Sequence, residues 1–106
     1  MITQITAKQL QEKIRSSKDL FLLDVREPFE FEYGKIPGSV LIPMNQIQQK
    51  LPELQTEQEI VVICHHGVRS QMVADFLEYS GFSRIYNLIG GIDAWSQKVD
   101  ESVRRY

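Results

Sequence analysis

The sequence predicts an open α/β fold of about five strands, and three observations carry that expectation. Short apolar runs alternate with amphipathic segments along the whole chain. The runs, above all Leu20–Val25 and Ile60–Ile63, lack period-two polar alternation. Both faces of such strands are buried, which implies a parallel sheet with helices on both faces. Gly34, Pro37-Gly38, Gly81 and Gly90-Gly91 punctuate the segments as turns and helix stops.

Taken in order, Ile2–Ile5 is a weak first strand. Thr6 and Gln9 have the spacing of a capping box, and Ile5 and Leu10 that of a hydrophobic staple, so a helix starts at Ala7. It is expected to bury Leu10 and Ile14 and to fray at Ser16-Ser17. Leu20–Val25 is the second strand, with Asp24 near its carboxyl end. Pro28 suits the first turn of a short helix carrying Phe29 and Tyr33 and closed by Gly34. Val40–Ile42 is a strand stopped by Pro43, and Asn45 is placed to cap a helix through Leu51 that Pro52 terminates. Ile60–Ile63 is the most β-branched strand. A long helix follows over 70–80 with Val73, Phe76 and Leu77 on one face, then a strand at Ile85–Leu88. The last helix, 92–99, carries Trp95 on the face of Ile92 and Val99, which reads as core.

Composition narrows the function. With 106 residues, 42% of them apolar, the chain is expected to form one domain over residues 1–106. Twelve basic against 14 acidic residues leave a net charge of −2, which gives no cationic field for nucleic acid. The apolar runs are too short to cross a bilayer, so no membrane partner is expected. Met1-Ile-Thr-Gln-Ile-Thr lacks the basic and apolar regions of a signal peptide. The single cysteine, Cys64, permits no intrachain disulfide and suits a reducing compartment, so a cytoplasmic location is expected.

That cysteine sits where chemistry is expected. In open parallel sheets ligands bind beyond the carboxyl ends of the strands, and Cys64 follows Ile63 directly. The segment Ile63-Cys-His-His-Gly-Val-Arg-Ser-Gln leads from strand to helix in a few residues, with Gly67 free to adopt a turn closed to other residues. A tight loop there turns backbone N–H groups inward at the positive end of a helix dipole. With Arg69 nearby, that field favours thiolate over thiol and makes Cys64 a nucleophile facing an anion pocket. A lone cysteine after Ile-Val-Val-Ile could equally be an inert core residue, and the Gly and Arg that follow argue against it. A metal site of Cys64, His65 and His66 is not expected, because three consecutive residues rarely face one ion.

Cys64-His-His-Gly-Val-Arg-Ser resembles the active-site loop of single-domain rhodaneses, sulfurtransferases that carry sulfur as a cysteine persulfide. Leu23-Asp-Val-Arg-Glu-Pro-Phe-Glu-Phe, Gly34-Lys-Ile-Pro-Gly-Ser and Gly90-Gly-Ile-Asp-Ala-Trp resemble that family's other signatures, in its order and spacing. Lys35 departs from it, standing where the family usually has His. The resemblance implies a rhodanese-like domain with a five-stranded parallel sheet. It places the nucleophile on Cys64 and the substrate cradle on His65, His66, Gly67, Val68 and Arg69, with no cofactor. Asp24 and Arg26 match a signature whose implied role is an ion pair steadying the loop's surroundings.

Loop length bears on the reaction. Phosphatases that resemble rhodaneses have Cys-x5-Arg, whereas Cys64 and Arg69 here have Cys-x4-Arg. The resemblance therefore favours transfer from a small anionic sulfur donor such as thiosulfate to cyanide, a thiol or a sulfur-carrier protein. The alternative is a docking or sulfur-relay module serving a partner enzyme; the tail from Ala94 to Tyr106 resembles that of rhodanese domains fused to adenylyltransferases.

Overall fold

The computed structural model describes residues 2–17 and 19–106. Ten elements alternate along them: β1 (Thr3–Ile5), α1 (Ala7–Ser16), β2 (Phe21–Asp24), α2 (Pro28–Tyr33), β3 (Val40–Leu41), α3 (Ile47–Lys50), β4 (Ile60–Ile63), α4 (Val68–Tyr79), β5 (Ile85–Leu88) and α5 (Gly91–Lys98). The strands form one parallel sheet in the order β1-β5-β4-β2-β3. β4 lies in the middle, with Val62 opposite Leu23 on one side and Asn87 on the other.

The unbroken apolar run of β4 is explained by two cores. Ile60 and Val62 point into one, with Leu23, Val73, Ala74, Leu77 and Ile47. Val61 and Ile63 point into the other, with Ala7, Leu10, Leu88, Ile92 and Trp95. So α3 and α4 cover one face and α1 and α5 the other, as the missing alternation predicted. Cys64 extends the first core at the carboxyl end of β4.

Local signals hold where backbone chemistry decides. The Thr6 hydroxyl accepts from the Gln9 N–H at 3.1 Å and the Gln9 side chain accepts from the Thr6 N–H at 2.9 Å, closing the capping box. Elsewhere tertiary contacts intervene. Leu10 is fully buried but Ile14 is 38% exposed, because it lies at the rim of a groove shared with Ile36, Pro37 and Trp95. On α2 Phe29 and Tyr33 face outward, Phe29 being 72% exposed, and the buried residue is Glu30. Asn45 makes no cap: it sits in a 3-10 turn, Met44–Gln46, ahead of α3. Pro52 lies within a second 3-10 turn, Leu51–Glu53, in the first positions where its missing N–H is no loss.

The largest departure matters for function. α4 begins at Val68, not at Ser70, because Gly67 at φ 104° is already its N-cap. Arg69 and Ser70 therefore belong to the first helical turn. Trp95 is buried as expected, and Asp24 and Arg26 form a fully buried ion pair at 2.7 Å.

The loop after β4 is clamped by α5. The N–H of Ile92 donates to the Cys64 carbonyl at 2.8 Å and that of Asp93 to the His65 carbonyl at 3.2 Å. Gly91 makes this approach possible: at φ 59°, a Cβ there would lie 2.4 Å from both carbonyl oxygens. Gly91→Ala is accordingly expected to cost about 3 kcal/mol, combining left-handed strain with overpacking against backbone. Gly38→Ala, at φ 86° with nothing within 4 Å, should cost only about 1 kcal/mol. Urea unfolding of the two variants side by side checks the difference.

Candidate active site

The short path from β4 to α4 wraps the backbone around one sulfur atom. Cys64 Sγ accepts from the Gly67 N–H at 3.0 Å and from the Ser70 N–H at 3.3 Å, and lies 3.3 Å from the Ser70 hydroxyl. Both amides belong to the unpaired N–H groups at the start of α4, so the helix directs its positive end at the sulfur. The left-handed turn at Gly67 is what brings them inward. The two N–H groups make a nest of donors around a single thiol.

Arg69 is placed differently from the simple expectation. Its guanidinium forks onto the Glu30 carboxylate at 2.7 and 2.9 Å rather than standing free over the loop. Two of its five N–H donors are used there, leaving three. Glu30 is itself tied down: it accepts from the Glu27 N–H at 2.9 Å and from the Tyr106 hydroxyl at 2.8 Å. The Arg69 fork, with the Glu27 and Tyr106 donors, outweighs burial and holds the Glu30 carboxyl at about 2, while the same pair raises Arg69. Tyr106 is pushed up to about 12 by burial and by Glu30, so its hydroxyl stays protonated and donates.

Sequence reasoning missed Glu30 and Tyr106. Glu30 had a signal, since Glu27 and Glu30 share the three-residue spacing of a capping pair after which Pro28 opens the helix. Tyr106, 76 residues from Glu30, had none. It also accepts from Arg26 at 2.9 Å and so joins the Asp24–Arg26 pair to the Glu30–Arg69 pair.

His65 and His66 form one wall of the site. The His65 ring is sandwiched between His66 and Tyr106, each with its centroid 3.9 Å away. Burial, aided by the neighbouring His66, lowers the His65 pKa and favours the neutral ring. Among the described residues neither histidine hydrogen-bonds the sulfur. Val68 is exposed beside Gly67. The donor atoms of His65, His66 and Asp93 lie within 4.8 Å of one another, a grouping with the chemistry of a divalent metal site. The Asp93 carboxylate is already engaged by Arg105 and Gln97, both at 2.9 Å, and it lies 3.8 Å from His66.

The model of the rhodanese-like domain family matches residues 6–98, spanning the Asp24–Arg26 pair, the cysteine loop and the Gly90-Gly91 clamp. The chain belongs to the rhodanese-like domain family. It is 32% identical over 93 residues to the thiosulfate sulfurtransferase GlpE of Pseudoalteromonas translucida, covering 88% of this chain and 89% of that one. It is 36% identical over 99 residues to YrkF of Bacillus subtilis, covering 93% of this chain but only 54% of that protein. The crystal structure of a rhodanese-like domain protein from Staphylococcus aureus superimposes with a TM-score of 0.85 at 34% identity, covering 98% of each chain. The fold is a rhodanese-like domain, and its relatives include sulfurtransferases. Among the described residues, no helix is long and apolar enough to cross a membrane.

The Glu30 carboxyl makes this rhodanese-like fold acid-sensitive in a defined window. Its pKa falls from an ordinary 4.5 to about 2 on folding. A depressed folded value stabilises the fold above the unfolded value, and the gain is lost as pH drops from about 4.5 towards about 2. The full gain is about 3 kcal/mol. Urea unfolding at pH 6 and pH 3 should show a stability loss in the parent that Glu30→Gln lacks from this group.

Proposed function

We propose that the protein is a sulfurtransferase that carries a sulfane sulfur on Cys64. The observation that carries this reading is the sulfur at the focus of the Gly67 and Ser70 N–H groups, with Cys-x4-Arg spacing around it. Its likeness to GlpE supports the same reaction class. The Cys64 thiolate attacks the outer sulfur of thiosulfate, the S–S bond of the donor breaks, and sulfite leaves with that bond's electron pair. A persulfide anion remains on Cys64, where the same N–H groups and helix end stabilise its charge. A nucleophile then attacks the terminal sulfur, and Cys64 departs as thiolate with the electrons of the persulfide bond. No general base is required if the thiol is ionised at the start.

Within this reading His65, His66, Gly67, Val68 and Arg69 contact the small anionic donor, Arg69 through the N–H groups that Glu30 leaves free. The second nucleophile is cyanide, a low-molecular-weight thiol, or a thiol-bearing carrier protein. Exposed Val68 and Met72, on the first turns of α4, offer such a protein an apolar landing beside the loop.

Thiosulfate should add one sulfur to the intact protein, removable by cyanide or dithiothreitol, and Cys64→Ser should add none in a mass measurement. Retention of the sulfur by that variant overturns the assignment. Loop length supplies a second check. Inserting one Gly after Gly67 gives Cys-x5-Arg with unchanged charge, and should cut thiosulfate turnover by about a hundredfold through lost N–H convergence, roughly the value of one such donor. Substantial hydrolysis of aryl phosphates by the parent would instead favour phosphoryl chemistry.

A further inference from the structure

Behind the sulfur lies a chain of polar side chains in which every hydrogen has a fixed direction. It starts on the surface of α4, where the Asp75 carboxylate, which only accepts, takes the Gln71 amide N–H at 3.0 Å. Gln71 must then present its oxygen on the other side. That oxygen accepts from Gln4 of β1 at 2.7 Å and from the amide nitrogen of Asn87 of β5 at 3.1 Å. The same Asn87 nitrogen donates to the Gln4 oxygen at 2.9 Å and points to the Gly67 carbonyl at 3.4 Å. Three acceptors surround the nitrogen, so the Asn87 oxygen is the end that faces Ser70. An amide oxygen can only accept, and Ser70 has one hydroxyl hydrogen, which it gives to Asn87. Cys64 Sγ, on the other side of that hydroxyl, therefore meets an oxygen lone pair and not a proton.

We infer that Asn87 is a positioning residue for Cys64, acting through the direction of the Ser70 hydroxyl. While the thiol is protonated the arrangement is satisfied: S–H donates to Ser70, and Ser70 donates to Asn87. Once the thiol loses its proton, the hydroxyl has two acceptors and one hydrogen. Turning to the thiolate leaves the Asn87 oxygen unpaired at a site where Asn87 is only 4% and Ser70 0% exposed. Staying with Asn87 leaves the thiolate to the two backbone N–H groups and against a lone pair. Either way Asn87 restrains ionisation of a thiol that the loop otherwise promotes. The restraint keeps the resting cysteine protonated to a greater degree and leaves its thiolate less fully solvated by donors, hence a stronger nucleophile once formed.

The inference rests on Cys64 being the working thiol of the proposed sulfur transfer, but its test needs no sulfur donor. Alkylation by iodoacetamide reports the thiolate directly, and with one cysteine in the chain intact mass reads it without ambiguity. Sulfur loading and this alkylation profile can thus fail separately. Asn87→Leu frees the hydroxyl to donate to sulfur, and on the low-pH limb alkylation should run about three- to tenfold faster, the worth of one hydrogen bond to a charged group less the accompanying loss of thiolate nucleophilicity, with a plateau below the parent's. Asn87→Val is a second apolar replacement suited to a strand, for use if the leucine variant does not fold. Asn87→Asp keeps an acceptor in place and should gain no acceleration. In a Ser70→Ala background, Asn87→Leu should add nothing, because the hydroxyl through which it acts is gone. The inference is overturned if the apolar variants alkylate at the parent's rate or slower. It is equally overturned if they speed the plateau as much as the low-pH limb, if Asn87→Asp accelerates too, or if the acceleration persists without Ser70.

Discussion

A left-handed turn at Gly67 is the constraint on which the site depends. At φ 104° the chain leaves the end of β4 and enters α4 with no intervening extended segment. Because the turn is so tight, the Gly67 and Ser70 amides converge on the sulfur that the strand has just delivered. A Cβ at Gly67 would sit 3.4 Å from the Leu88 carbonyl, so space alone would tolerate one, and it is the backbone conformation that selects glycine. The α5 clamp on the Cys64 and His65 carbonyls then holds the loop from its other side. The starts of two different helices thus meet one short segment, α4 binding its sulfur and α5 its carbonyl oxygens.

What the sequence made legible was local or periodic. The parallel sheet could be read because β4 is apolar at every position, and only two-sided burial explains that. Cys64 could be read because strand end, glycine and helix start lie within a few residues of one another. The capping box of α1 was visible for the same reason. The limits appear where the deciding partner is remote. Phe29 and Tyr33 have the spacing of a buried helical face, yet α2 turns Glu30 inward to meet Arg69, 39 residues away. Asn87 lies in the middle of an apolar strand pattern, and nothing nearby announces that it faces Ser70, 17 residues earlier. Buried polar residues are placed by partners, and the partners are set by the sheet order, which local pattern does not specify.

These buried polar residues, with half-buried and exposed partners, form two systems that meet around the loop. One is ionic: Asp24, Arg26, Glu30 and Arg69, joined by the Tyr106 hydroxyl. The other is neutral: Ser70, Asn87, Gln4 and Gln71. The ionic system lies beyond the carboxyl ends of β2 and β4, and the neutral one lies between β1, β5 and α4. Each satisfies its members almost completely, as low-dielectric surroundings demand. The aromatic stack of Tyr106, His65 and His66 belongs to the ionic side, so the tail beyond α5 is tied to the site through both a ring and a hydroxyl.

This division changes the account of how an anion is held. Taken alone, Arg69 would bring a full positive charge to the loop. Paired at 2.7 Å with Glu30 it brings the much smaller field of a close ion pair, and the Asp24–Arg26 pair beside it is likewise balanced. The four charges sum to zero. What remains uncompensated near the sulfur is the start of α4, whose N–H groups touch it directly. Backbone dipoles at contact distance act over a few ångströms and are shielded by the protein around them, so dissolved salt screens them far less than exposed charge. The arrangement accordingly favours negative charge held on the sulfur inside the loop, and does not gather anions from a distance. That fits a chain whose net charge is −2, with no long-range attraction for anions to offer.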